Sequence, residues 1–122
     1  MIKQATLLIA VFWLFVSMTN IFAADFPQGT YTSGDYTIVF ADKGQYHVMT
    51  GEEVVVEGEY MVKGDHLTLT DKQGRLACKG EGIATATYGW KYEGEALTLS
   101  KVEDKCTGRS AGLTAGPWKR KK

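Results

Sequence analysis

The chain has 122 residues, with fourteen basic against fourteen acidic side chains and a formal net charge of zero. The charge is unevenly placed: Lys119-Arg120-Lys121-Lys122 closes the chain, while residues 24–118 hold fourteen acids against nine bases. That mildly acidic body excludes the basic face that grips nucleic acid, and about 100 residues behind a leader is the size of one domain.

Residues 1–23 have the three parts of a secretory signal. Lys3 supplies a positive start, residues 5–16 are predominantly apolar, and Ile21-Phe22-Ala23 offers a small residue for cleavage before Ala24. An uncleaved anchor needs about 20 predominantly apolar residues, and Ser17-Met18-Thr19-Asn20 interrupts that run. No Cys follows the run to carry a lipid. The expectation is a secreted or periplasmic protein, a signal peptide over 1–23, a domain over 24–118 and a basic tail over 119–122. Contact of that tail with a membrane is not expected, because a chain end is usually solvated unless something ties it down.

The chain has two cysteines, Cys78 and Cys106. An even count in an exported chain reads as a disulfide. The pair lacks the Cys-x-x-Cys spacing of a redox centre, and neither has a further Cys or His at metal-ligand spacing.

The strands can be phased from their alternation. Gly29-Thr30-Tyr31 opens the first. Gly34-Asp35 turns the chain into Tyr36, Ile38 and Phe40 on one face, with Thr37, Val39 and Ala41 on the other. Asp42-Lys43-Gly44 leads to a strand over 45–50 with Tyr46 and Val48 inward. Gly51-Glu52-Glu53 turns it into a long strand that places Val54, Val56, Gly58, Tyr60 and Val62 together. Gly64-Asp65 precedes Leu67 and Leu69. After an irregular connection over 72–83, Ala84, Ala86, Tyr88, Trp90 and Tyr92 share a face, and Gly94-Glu95 precedes Leu97 and Leu99. Residues 107–113 can form one short helical turn over an open end, and the region of Trp118 can supply an eighth strand. The pattern specifies an all-β protein: an antiparallel up-and-down β-barrel of about seven to eight strands around a single core.

All six tyrosines, Tyr31, Tyr36, Tyr46, Tyr60, Tyr88 and Tyr92, fall on the inward phase. Each buried phenol needs a hydrogen-bond partner, so a core built only for stability would favour aliphatics. Two readings stand: the rings fill the barrel, or they line an amphipathic pocket.

The Gly-x-aromatic phrase recurs as Gly29-Thr30-Tyr31, Gly58-Glu59-Tyr60 and, more loosely, Tyr88-Gly89-Trp90. Each copy is followed by a tight turn at Gly34-Asp35, Gly64-Asp65 or Gly94-Glu95. With Cys78 and Asp104-Lys105-Cys106-Thr107-Gly108-Arg109, these residues resemble the lipocalin-like (calycin-type) barrels, and more closely short bacterial secreted proteins with a lipocalin-like domain. Lipocalins open on Gly-x-Trp with a late basic residue over the ring, so the resemblance implies that Tyr31 and Arg109 close this barrel by a cation–π contact. Tyr stands here for Trp, and the chain is shorter than a typical lipocalin.

No catalytic constellation is present in the sequence. His47 and His66 fall on the outward phase, and the serines lack an elbow motif. Asp65 and Asp71 are explained by a turn and a strand end. Neither a phosphate-cradling Gly loop nor a zinc motif occurs. The expectation is a non-enzymatic, monomeric binding protein without metal or cofactor. Its ligand is a small amphipathic or aromatic molecule, held by Tyr60, Tyr88, Trp90 and Tyr92. The alternative is a protein-binding module, such as a secreted hydrolase inhibitor, that uses the 72–83 loop and Asp25-Phe26-Pro27-Gln28.

Overall fold

The computed structural model describes residues 26–122, so the expected signal peptide and its cleavage site lie outside the described residues. Eight antiparallel strands close into one barrel in chain order. They are β1 (Gly29–Ser33), β2 (Tyr36–Phe40), β3 (Gln45–Thr50), β4 (Glu53–Lys63), β5 (His66–Gln73), β6 (Thr85–Glu93), β7 (Ala96–Glu103) and β8 (Trp118–Arg120). Between β7 and β8 lies α1 (Thr107–Leu113), the short helix that the sequence places there. This all-β, up-and-down order agrees with the alternation and is consistent with a lipocalin-like fold. No helix among the described residues is long and apolar enough to cross a membrane.

The turns define two ends. Gly34-Asp35, Gly51-Glu52, the 74–84 connection and α1 lie at one, here the helix end. Residues 42–44, Gly64-Asp65, Gly94-Glu95 and the segments Phe26 and Arg120 lie at the other, the terminal end. Glu93 pairs with Ala96 across a two-residue loop in which Gly94 and Glu95 both have positive φ, 57° and 65°. A type I′ turn requires that of both residues; Gly takes it freely and Glu does so under strain.

The inward phase holds over most of the barrel: Tyr31, Ile38, Leu67, Tyr88 and Leu97 are fully buried. It fails at one place. Val48 pairs with Val56 but Met49 pairs with Val54, so Val55 is an extra residue in β4. This bulge turns Val55 into the core and Val54 out to solvent, correcting the alternation that placed Val54 with Val56. Tyr36 keeps the inward phase, but it stands at the open rim of the helix end and is exposed. The barrel closes through β8, which pairs Arg120 with Tyr31 and Lys119 with Thr32 on one side, and Trp118 with Leu97 on the other. Lys119 and Arg120 therefore belong to the wall rather than to a tail.

Cys78 and Cys106 form the expected disulfide, which ties the 74–84 connection to the residue that precedes α1. With the cysteines 28 positions apart in sequence, Cys106→Ala should lower stability by about 2 to 4 kcal/mol in denaturant titration. Glu95→Asn should act in the other direction, raising stability by up to about 1 kcal/mol, because Asn adopts the left-handed conformation more readily. The lost Glu95–Lys122 ion pair is exposed and offsets little of that.

Candidate functional site

Both ends of the barrel are built from tyrosine and arginine, with different outcomes. At the terminal end Phe26 lies over the barrel opening. Its ring centroid is 5.1 Å from those of Phe40 and Trp90, edge-on to each, and 5.7 Å from that of Tyr60. Such contacts add about 0.5 to 1.5 kcal/mol each beyond area burial. The polar atoms of the rings are satisfied by backbone: Tyr60 donates to Ala41 O at 2.7 Å, Trp90 Nε1 to Gly64 O at 3.0 Å, and Tyr31 to Pro27 O. Arg120 completes the closure. Its guanidinium carbon is 5.2 Å from the Tyr31 ring centroid and 5.6 Å from that of Tyr92. It donates to the Tyr92 hydroxyl at 2.9 Å and to Gln28 O at 2.9 Å. Burial pushes the Tyr31 phenol up to about 12 against the opposing pull of Arg120. The cation over Tyr31 is thus Arg120 and not Arg109, because β8 pairs with β1 while α1 sits at the far end.

At the helix end Arg109 extends into the barrel wall and meets two buried carboxylates. Asp104 takes a two-pronged contact, from Nε and Nη2, each at 2.8 Å, and Asp71 lies 3.2 Å from Nη1. The remaining donors reach Ala84 O at 2.9 Å and Ile83 O at 2.6 Å. Tyr46 donates to Asp71 and Tyr88 to Asp104. The N–H groups of Cys78 and Cys106 donate to Asp71 and Asp104, each at 2.8 Å, so the network and the disulfide brace the same two segments. Burial alone would raise the Asp104 carboxyl; hydrogen bonds from Arg109, Tyr88 and Cys106 N–H together hold it below the usual range. Burial and the adjacent carboxylates push the Tyr46 and Tyr88 phenols up, so both stay protonated donors.

Local sequence explains how Asp71 comes to be inside. It continues the phase of Leu67 and Leu69 on β5, so its side chain faces the core. Gly58 on β4 pairs with both Tyr46 and Asp71. A Cβ at Gly58 would stand 2.9 Å from Tyr46 Cε1 and 2.2 Å from Thr70 O. Without one, the Tyr46 ring crosses β4 and its hydroxyl reaches the carboxylate. Asp71 is therefore no strand-end residue, and its inward phase was the visible signal. Asp104 had no such signal beyond its place beside Cys106.

Between this network and the rim is a cavity of about 160 Å³. Val48, Val55, Val56, Leu69, Leu76 and Leu113 supply apolar walls, Tyr36, Tyr46 and Trp118 supply rings, and Asp71 and Arg109 form the polar floor. The four expected ligand-binding residues do not come together around it. Tyr60, Trp90 and Tyr92 pack at the terminal end, Tyr88 reaches Asp104, and the described walls of the cavity include none of them. Among the described residues no group of three His, Cys, Asp or Glu is placed to hold a metal ion.

The network makes stability acid-sensitive. Asp104 is depressed in the folded state, so its contribution is complete above the unfolded carboxyl value of about 3.9 and is lost as pH falls through the folded value. Denaturant midpoints should therefore fall below about pH 4. Arg109→Lys, which cannot reproduce the two-pronged contact, should cost about 2 to 4 kcal/mol at neutral pH and flatten that acid limb.

No family model matches the chain, and no curated protein or solved structure does so significantly.

Proposed function

We propose that this protein is an exported, non-enzymatic member of the lipocalin-like barrels that binds a small apolar or aromatic molecule in the cavity beneath α1. The observation that carries the reading is the cavity itself, about 160 Å³, walled mainly by aliphatic and aromatic side chains. An apolar cavity of about 150 Å³ is large enough to take up benzene, so the ligand is of that size rather than a long lipid. The aromatic stripe first suggested by the sequence supports the fold instead, since its rings fill the terminal end and its polar atoms have partners. A disulfide at the helix end suits an oxidising compartment. The non-enzymatic reading rests on the floor: the carboxylates, phenols and guanidinium there are engaged with one another and with backbone.

One observation favours a second reading, a protein-binding module. Tyr36, Val54 and Leu76 are 40%, 38% and 44% exposed, an unusual density of apolar side chains for one rim. The N-terminal contact suggested for such a module is less accessible, because Phe26 is buried. Photocrosslinking from position 76 in the cell envelope separates the readings, since a carrier gives no discrete protein adduct.

Methyl NMR of the mature protein titrated with toluene tests the first reading. Shifts are expected at Val48, Val55 and Leu113. Leu113→Trp, which fills the cavity, should abolish them, and Trp90→Phe should leave them unchanged. Shifts confined to the Phe26–Trp90 end, or none at all, would refute it.

A further inference from the structure

A guanidinium carries five N–H donors, and in Arg109 four of them are in hydrogen bonds. Nε and Nη2 donate to Asp104, Nη2 also to Ile83 O, and Nη1 to Ala84 O. The second N–H of Nη1 makes no hydrogen bond among the described residues. Asp71 Oδ2 lies 3.2 Å from Nη1, an ion-pair contact rather than an aligned hydrogen bond. The Arg109 side chain is only 7% exposed, so bulk water hardly reaches this donor, and it stands on the cavity lining. A buried donor without a partner is costly, and more so on a charged group.

The other polar groups of the lining have nothing comparable to offer. The Tyr46 hydroxyl proton goes to Asp71, and the Trp118 indole N–H goes to Leu113 O. Asp71 is itself 1% exposed, and its oxygens accept from Tyr46 and Cys78 N–H beside the Arg109 contact. The Tyr36 hydroxyl is at the exposed rim, where water serves it. Asp71 and Arg109 pair with each other, so the charges of the lining balance. What remains unspent is a direction: one N–H in an apolar recess. Gly108 and Gly112 of α1 also lie on the lining, and a Cβ at either would touch nothing within 4 Å, so the space beside Arg109 is open.

We propose that the cavity selects a small neutral molecule with a carbonyl oxygen, a ketone or ester on an aromatic or short aliphatic body, and that Arg109 Nη1 donates to that oxygen. This rests on the cavity being a binding site, as argued above. The apolar body replaces water against Val48, Val55 and Leu113 while the oxygen turns to the floor. A hydrocarbon of the same shape leaves the donor unpaired. A carboxylate loses its hydration to a guanidinium that Asp71 and Asp104 already balance. A head group that only donates finds the Asp71 oxygens already taken.

Four probes of one shape, a benzene ring with a three-atom head, test this: cumene, acetophenone, benzoate and benzamidinium. Each is titrated into the mature protein, with the Val48, Val55 and Leu113 methyls reporting occupancy by NMR. Each affinity of the two neutral probes is taken relative to transfer from water to cyclohexane. On that scale acetophenone should exceed cumene by about tenfold or more, and in Kd it should exceed both ions by a similar factor. Bound acetophenone should move the Arg109 guanidinium N–H resonance, which cumene leaves in place. Its carbonyl infrared band should fall below the position found in cyclohexane. Arg109→Lys should abolish that fall, its fold checked by circular dichroism; the measurements on the unmodified protein decide the matter if that variant does not fold. A carbonyl band at its cyclohexane position, no advantage over cumene, or tightest binding by either ion overturns the selection and leaves the cavity reading intact. If no probe moves the three methyls, the cavity reading itself fails and the selection with it.

Discussion

Arg109 reaches from a seven-residue helix into the barrel and holds Asp71 of β5, Asp104 after β7 and two carbonyls before β6. A guanidinium presents its donors in a rigid plane, so few positions of α1 satisfy four hydrogen bonds and the Asp71 ion pair at once. A helix this short has little stability of its own. Its place over the barrel mouth is set by that planar contact, by the adjacent disulfide, and by Leu113 and the Trp118 indole, which donates to Leu113 O at 3.0 Å. The cavity exists because α1 is held at that position and not lower.

The two ends show what one residue type does in two surroundings. At the terminal end Tyr31, Tyr60 and the Trp90 indole donate to carbonyls, the Tyr92 hydroxyl accepts from Arg120, and Phe26 packs edge-on against Phe40 and Trp90, so the space is filled without a carboxylate. At the helix end the phenols donate to carboxylates, which must then be balanced by a buried cation. Buried ionic groups are poor sources of net stability against apolar replacements, so their presence at one end only calls for a reason beyond packing. A polar floor beneath an apolar recess is such a reason.

The parts of the fold that depend on neighbours in sequence were legible. Period-two alternation and Gly-Asp or Gly-Glu turns located the strands, and the Gly-rich segment after Cys106 located α1. What depends on register or on distant pairing was not. Val55 turns inward because β4 gains a residue against β3, which no single strand's alternation reveals. Arg120 covers Tyr31 because the last strand returns to the first, a contact across 89 residues, whereas the family resemblance directed that role to Arg109. Asp71 was visible as a carboxylate on an apolar phase. The cavity was not, since it is the gap between a helix and a wall whose separation no local pattern encodes.

The closure through β8 has a consequence for the order of assembly. Arg120 joins Gln28 and Tyr31, and β8 meets β1 and β7 over only three residues. The ring of strands is thus sealed only once β8 has been synthesised, and a nascent chain lacking it is an open sheet with two free edges, on β1 and β7. Such edges are templates for pairing with other chains. The disulfide can form earlier, once Cys106 has emerged, and it encloses β6 and β7 without β8. It would hold the growing sheet compact during the interval in which the first strand waits for its final neighbour.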